Sequence, residues 1–513
     1  MRSCCGMAVR RSKTPLAAAT LAVLLLTSCT NGGSEGGRDE HPRPTESTPH
    51  TGDAGTTDRP NIVFVLTDDL SSDLIDYMPT VQALATRGAR FSHYFVTDSL
   101  CCPSRASIFT GRFPHNTGVY RNTGPDGGYR AFEARGQDDD TFATTLQAAG
   151  YRTGFMGKYL NGYLPRRHPV PPGWDDWRAG GTPYGGYDYV LNENGRHVEY
   201  GKEPKDYVTD VLADKAVAFI DEAVDAKEAF ALEVATYAPH GPYTPAPRHA
   251  NAFVDVRAPR GPAFNVEPGP DTPPWLRTHK TLAATQIAEI DAAYRKRVQA
   301  VQAVDELLAR VERKLAERGV AERTYVVFSS DNGFHMGEHR LMPGKMTAFD
   351  SDARVPLVVA GPGVAAGRVV DRLAQNIDLR PTFEAWAGAD TPASVDGRNL
   401  MPLLDLSGPP SSWRTSVLIE HRGPVQAPDD PDNPDDDGAN PPTYDALRTD
   451  DELHVEYVDG VVEHYDLAAD PHALTNLGPR LTPSERTAWH DALDAARRCR
   501  GDASCWAAQG QIA

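Results

Sequence analysis

The chain has 513 residues, far more than one small domain needs and enough to bury a large core. Its 52 Lys and Arg against 70 Asp and Glu leave a formal charge of −18, which argues against non-specific nucleic-acid binding, because that requires a basic face. With 40% hydrophobic residues it is neither a multi-pass membrane protein nor a wholly disordered chain, and seven cysteines over this length do not make a disulfide scaffold.

At the N-terminus Arg2, Arg10, Arg11 and Lys13 precede an apolar run from Leu16 to Leu26. The run is short for a bilayer span and reads as the core of a signal peptide. It stops at Leu26-Thr27-Ser28-Cys29, small residues ahead of a cysteine, which resembles a bacterial lipobox with Cys29 as the lipidated residue. A plain secretory signal with a chance cysteine is the other reading, and the export route, Sec or Tat, stays open. Residues 1–29 are therefore expected to be a signal peptide with lipobox. Residues 30–58, built of Gly, Ser, Thr, Pro, Asp and Glu, cannot repay their ordering entropy and read as a flexible linker. The expected location is extracytoplasmic: lipid-anchored at the bacterial cell membrane, or secreted.

The folded part opens with Pro60-Asn61-Ile62-Val63-Phe64-Val65-Leu66-Thr67, a continuous apolar run typical of a strand buried on both faces, followed at once by Asp68 and Asp69. Next comes Cys101-Cys102-Pro103-Ser104-Arg105, running on to Thr110-Gly111-Arg112. Pro103 suits the first turn of a helix, whose N-terminus would offer backbone N–H groups and positive dipole to an anion. An amphipathic helix is predicted over Tyr207 to Val224, then a strand from Phe230 to Thr236 leading to His240. A long helix is predicted over Thr285 to Arg318, and a strand over Tyr325 to Phe328 ending in Ser330-Asp331-Asn332-Gly333. Val355 to Ala360 is a further strand and Leu373 to Ala387 a further helix. Alternating strands and helices imply an α/β fold, a large mixed, mainly parallel sheet sandwiched by helices.

In such sheets the site lies beyond the carboxyl ends of the strands, so Asp68, Asp69, Asp331 and Asn332 are expected to meet at one edge. Four oxygen donors suit a hard divalent cation, Ca²⁺ first and Mg²⁺ second; the alternative is a helix cap at Asp68-Asp69 and a turn at Asp331-Asn332-Gly333. His335 and His339 read as mouth or surface residues rather than zinc ligands. The acidic, Pro-rich run from Asp429 to Asp437 lacks an EF-hand pattern and reads as a solvated loop. Asp459-Gly460, between Val455 and Val462, is a hairpin turn, and Cys499 with Cys505 is expected to form a disulfide.

The segment Cys-x-Pro-Ser-Arg followed by Thr-Gly-Arg resembles the signature of type I sulfatases of the alkaline phosphatase-like superfamily, matched here from Cys101 to Arg112 without a gap. Gly157-Lys158-Tyr159-Leu160-Asn161, Ala238-Pro239-His240, Ser330-Asp331-Asn332-Gly333 and Gly344-Lys345 are similar to further elements of that family. The resemblance implies a sulfatase catalytic domain at 59–405 and a smaller C-terminal subdomain with an antiparallel sheet at 406–513. Many sulfatases carry a histidine where Leu160 stands. Gly-Lys-Tyr-Leu-Asn resembles instead the N-acetylglucosamine-6-sulfatase and endosulfatase branch, with Asn161 expected to take over part of that histidine's hydrogen bonding.

What the resemblance implies for chemistry is specific. A formylglycine-generating enzyme would oxidise Cys101 to Cα-formylglycine (3-oxoalanine), whose hydrate presents one hydroxyl to attack sulfur and a second to expel sulfate. Asp68, Asp69, Asp331 and Asn332, with residue 101, would hold the cation. Arg105, Lys158, Asn161, His240 and Lys345 would bind the substrate, with Arg105, Lys158 and Lys345 on sulfate oxygens and His240 assisting the leaving group. The expected function is release of sulfate from a sulfated saccharide, N-acetylglucosamine or glucosamine 6-sulfate, with no nucleic-acid partner and membrane contact through the lipid alone. Alternatives are an arylsulfatase, a phosphate or phosphonate monoesterase on the same fold, or a non-catalytic surface lipoprotein that binds sulfated glycans.

Overall fold

The computed structural model describes residues 59–405, 410–425, 427, 430–434 and 437–512. The signal peptide, Cys29 and the linker lie outside the described residues. Among the described residues sixteen strands follow in chain order: β1 Asn61–Thr67, β2 Ala89–Phe91, β3 Tyr94–Phe95, β4 Arg152–Lys158, β5 Asp176–Gly180, β6 Tyr189–Glu193, β7 Arg196–Tyr200 and β8 Phe230–Ala235. Then come β9 Thr324–Ser330, β10 Leu357–Ala360, β11 Arg368–Val370, β12 Ala374–Gln375, β13 Val417–His421, β14 Tyr444–Arg448, β15 Glu452–Tyr457 and β16 Val462–Asp466.

Ten of them form one sheet in the order β11-β2-β10-β9-β1-β8-β4-β5-β6-β7. Its centre is parallel, β9-β1-β8-β4-β5, and antiparallel pairs (β2-β10-β9 and β5-β6-β7) lie on either side. The expected mixed, mainly parallel sheet is thus observed. Every residue of β1, β8 and β9 is buried, which is why these strands read as unbroken apolar runs rather than as alternation.

The two-residue side-chain period of β1 divides the core. Ile62, Phe64 and Leu66 pack with Phe109, Phe142, Phe155 and Phe383 on one face. Val63 and Val65 pack on the other face with Leu212 and Phe219 of helix Val208–Ala226 and Val298, Val301 and Leu308 of helix Ala284–Glu317. Both long helices lie within a residue or two of the spans their apolar periodicity predicts. The stretch predicted as a helix from Leu373 to Ala387 divides: β12 pairs with β3, and only Leu379–Ala387 is α-helical, closed by Gly388 in the left-handed conformation. Periodicity alone cannot locate that break, because the buried strand residue Ala374 also fits an apolar helical face.

The C-terminal sheet is an antiparallel meander, β13-β14-β15-β16, and its β15–β16 turn holds Asp459-Gly460 as predicted, with Gly460 N–H donating to the Tyr457 carbonyl. It packs against the body through Tyr444, whose hydroxyl donates to the Met346 carbonyl (3.0 Å), and Arg448, which pairs with Asp350 (3.0 Å). Cys499 and Cys505 are disulfide-bonded.

Candidate active site

Parallel strands bring their carboxyl ends to one edge, and the predicted residues gather there. Asp68 and Asp69 follow β1, Lys158 ends β4, His240 follows β8, and Asp331 and Asn332 follow β9. Cys101 opens helix Cys101–Thr110, in which every residue is buried. Pro103 falls in its first turn, where its missing N–H costs nothing, and Gly111 ends it in the left-handed conformation (φ 66°). The N-terminal amide of Cys102 is taken by the side-chain oxygen of Asn122 (3.0 Å).

Ligand atoms of Asp68, Asp69, Cys101 and Asp331 lie within 4.8 Å of one another. Asp69 owes its aim to a left-handed backbone (φ 64°), a costly conformation for a non-glycine residue. Buried Arg297, from the middle of the long helix, holds that turn by donating to the Asp69 carbonyl at 2.6 Å. Asn332 donates its amide to Asp69 Oδ1 (2.7 Å), and its own Oδ1 is buried with no hydrogen-bond donor. An orphaned carbonyl oxygen beside three carboxylates fits a hard divalent cation, whose charge and oxygen preference would satisfy both.

Cationic groups surround the same point. Lys158 Nζ lies 2.6 Å from Asp68 Oδ2, while Lys345 Nζ lies 2.6 Å from Asp69 Oδ1 and 2.8 Å from the Cys101 sulfur. Burial works against each ammonium, but Asp68 beside Lys158 and Asp432 and Asp69 beside Lys345 outweigh it and hold both pKa values well above the ordinary lysine value. Burial, with the charges of Asp432 and Asp68, pushes the Cys101 thiol well above its usual value.

His240 donates from Nδ1 to the Gly241 carbonyl (2.8 Å) and stacks on Tyr184 with ring centroids 4.0 Å apart. Its Nε2 therefore faces Asp432 Oδ1 at 3.0 Å. Burial lowers its pKa, yet Asp69, Asp68 and Asp432 raise it more, so the net shift is upward. Arg105 is fully buried and already engaged: Nε donates to Asp331 Oδ2 (2.8 Å), Nη1 to the Lys158 carbonyl (2.7 Å), and only Nη2 lacks a partner. It ties the β9 carboxylate to the end of β4. Asn161 lies three residues beyond Lys158. Its carbonyl accepts from Tyr129 N–H (2.7 Å), and its buried side-chain amide has no hydrogen-bond partner.

Two expectations need correction. The acidic run is not simply a solvated loop: the Asp432 residue is half-buried, but its side chain is only 6% exposed and turns in against Lys345 (2.9 Å), His240 (3.0 Å) and Asn122 (2.7 Å), with its Oδ2 3.5 Å from the Cys101 sulfur. Lys345 and His240 hold its carboxyl well below the usual range although burial alone would raise it. A run of Asp and Pro carries no periodicity, so only the three-dimensional proximity of two cations reveals which carboxylate goes inside. His335 and His339 are not at the surface. His335 Nδ1 pairs with buried Asp352 (2.9 Å), which accepts from Thr347 N–H (3.0 Å) and hydroxyl (2.7 Å), clamping the segment that carries Lys345. His339 stacks on Phe349.

Asn122, Arg297, Tyr184 and Asp432 are the residues of this site that sequence patterns did not single out for function. Arg297 lies on an apolar helical face, and that misplaced charge is the one signal available.

The family described as Sulfatase matches residues 60–389. The human N-acetylglucosamine-6-sulfatase is 36% identical over 463 residues, covering 84% of this chain and 83% of the relative. The Drosophila melanogaster extracellular sulfatase SULF-1 homolog is 36% identical over 376 residues, 71% of this chain; the chain spans 33% of that relative's length. Among solved structures, that of BT4656 in complex with its substrate D-glucosamine-2-N,6-O-disulfate superposes with a TM-score of 0.70 at 24% identity, covering 88% of this chain and 99% of that one, a likeness of fold. With its signature helix, its strand-end carboxylates and a family match over more than half its length, the chain belongs to the sulfatase family.

Proposed function

We propose that the protein is a sulfuric ester hydrolase that releases sulfate from a sulfated glucosamine, with N-acetylglucosamine or glucosamine 6-sulfate as the preferred ester. The observation that carries this reading is the convergence of Lys158, Lys345 and His240 around residue 101 at the N-terminus of a buried helix, directly beside three carboxylates. Such a cluster offers an anionic ester a cradle of fixed positive charge and a divalent cation a bed of oxygen. The name of the human relative and the saccharide bound in the solved neighbour support the choice of amino sugar.

Asp68, Asp69, Asp331 and the free Oδ1 of Asn332, with the side chain of residue 101, would hold the cation, Ca²⁺ before Mg²⁺. Formylglycine made from Cys101 would supply a hydrated aldehyde as nucleophile, and the cation would supply Lewis-acid activation. The chain's own residues do the rest. Lys158 and Lys345 bind sulfate oxygens and offset the charge that builds in the transition state; loss of one such group costs on the order of a hundredfold in turnover. Arg105 keeps Asp331 and the end of β4 in register. His240, fixed by its Nδ1 hydrogen bond, presents Nε2 toward the leaving oxygen, where an imidazole can donate a proton.

We place the protein outside the cytoplasm, anchored through Cys29. The Cys499–Cys505 disulfide supports an oxidising compartment.

Mass spectrometry of the peptide containing Cys101, from a host that has the modifying enzyme, should find an aldehyde or its hydrate. A released-sulfate assay over defined sulfated saccharides should then find turnover of glucosamine 6-sulfates that Cys101→Ala abolishes. An ordinary thiol in fully active protein overturns the reading. Faster turnover of a matched phosphate or phosphonate ester transfers it to that class.

A further inference from the structure

The reading above leaves Asp432 without a task, although its carboxylate lies 3.5 Å from the Cys101 sulfur. It lines a cavity of about 290 Å³ together with Asp69, His240, Tyr243, Phe334 and Lys345. An ester whose sulfur sits at residue 101, between Lys345 and His240, has its leaving group in this cavity and against Asp432.

The position of that carboxylate is built rather than incidental. Asn122 donates to it at 2.7 Å while accepting the Cys102 amide, so the same side chain joins Asp432 to the start of the nucleophile helix. The backbone N–H of Asp432 donates to Asp430 Oδ1 (3.0 Å), which accepts a second bond from Asn122 (3.2 Å). Pro431 and Pro434 flank the turn and restrict its backbone.

The two cations Asp432 touches, Lys345 and His240, are those the sulfate group needs. When an ester sulfate accepts hydrogen bonds from them, Asp432 faces an anion at close range and must share its donors with it. Two neighbouring anions in a buried site are unfavourable unless new hydrogen-bond donors come between or beside them. A sugar brings several hydroxyl donors, and an amino sugar an amine or amide as well. A plain aryl sulfate brings none to the ring that enters the cavity.

We propose that Asp432 is a specificity-determining residue that accepts hydrogen bonds from the leaving group, so that the site admits sulfate esters of donor-rich alcohols such as saccharides and penalises esters of apolar alcohols and phenols. This rests on the sulfatase reading. It differs from a positioning role for Lys345 and His240, which would affect all esters alike.

The test compares kcat/KM for glucosamine 6-sulfate and for 4-methylumbelliferyl sulfate in formylglycine-bearing wild type, Asp432→Asn and Asp432→Ala. Asp432→Asn keeps the shape and removes the charge, so it carries the test if Asp432→Ala fails to fold; thermal melts tell the two cases apart. The ratio of saccharide to aryl kcat/KM should fall at least tenfold in the variants, whatever common loss both esters share. Equal losses on both esters, or an unchanged ratio, overturn the proposal and leave the sulfatase reading standing. A wild type with the aldehyde in place that releases sulfate from neither ester removes that reading, and this proposal with it.

Discussion

Glu233 shows what a single buried charge costs a sheet. It lies in β8 opposite Phe64 and Phe155, and neither carboxyl oxygen has a hydrogen-bond partner. Burial pushes its pKa from 4.5 up to about 8, against a smaller downward pull from Arg105. The folded value lies above the unfolded one, so the contribution of this group to stability is full below about pH 4.5 and is lost as pH rises toward 8. At about 1.4 kcal/mol per pKa unit, the loss is on the order of a few kcal/mol. Glu233→Gln should therefore raise Tm by several degrees at pH 8 and change it little at pH 4.5, read by thermal melts at the two pH values. Equal shifts at both would show that ionisation of Glu233 is not what limits stability. At this scale the sequence is legible where a residue belongs to a pattern. Asp68, Asp69 and Asp331 end apolar runs, and Cys101 opens a motif. Asp432 belongs to no pattern, because its side chain is enclosed by Lys345, His240 and Asn122, which are remote from it in sequence.

The end of β4 illustrates how an element delivers a side chain. Gly157 takes φ 120° immediately before Lys158, and a Cβ there would fall 1.8 Å from the Ala235 carbonyl of β8. Only glycine lets the two strands stay paired while the chain turns Lys158 toward Asp68. Gly157→Ala should cost roughly 3 kcal/mol or more and lower kcat/KM of the folded fraction. Melting curves and steady-state kinetics check it, and a variant with wild-type Tm and kinetics would refute the steric account. Elements are the most legible level of this molecule. Central strands and both long helices follow from apolar runs and helical periodicity. What the pattern misses is a change of element inside one apolar stretch, as between Ala374 and Leu379, where β pairing with Tyr94–Phe95 wins over helix formation.

Across the whole molecule, the C-terminal helices return to the catalytic body. The Cys499 carbonyl accepts from His115 Nε2 (2.9 Å) and Asn116 Nδ2 (3.0 Å), just beyond the nucleophile helix. The disulfide closes a loop with a sequence separation of six, so it contributes at the low end of the usual range, about 2 kcal/mol. Cys499→Ser with Cys505→Ser should lower Tm by a few degrees and leave turnover of the folded protein unchanged, measured by melting and sulfate release. A collapse of activity in still-folded protein would mean that the C-terminal helices organise the site.

The burial of helix Cys101–Thr110 also sets an order of events. Its first residue has no surface exposure and every residue after it is enclosed. A separate enzyme cannot lay hold of that side chain once the body has closed around it. Any maturation of Cys101 therefore belongs to the unfolded or nascent chain, and a molecule that folds first has missed its only opportunity.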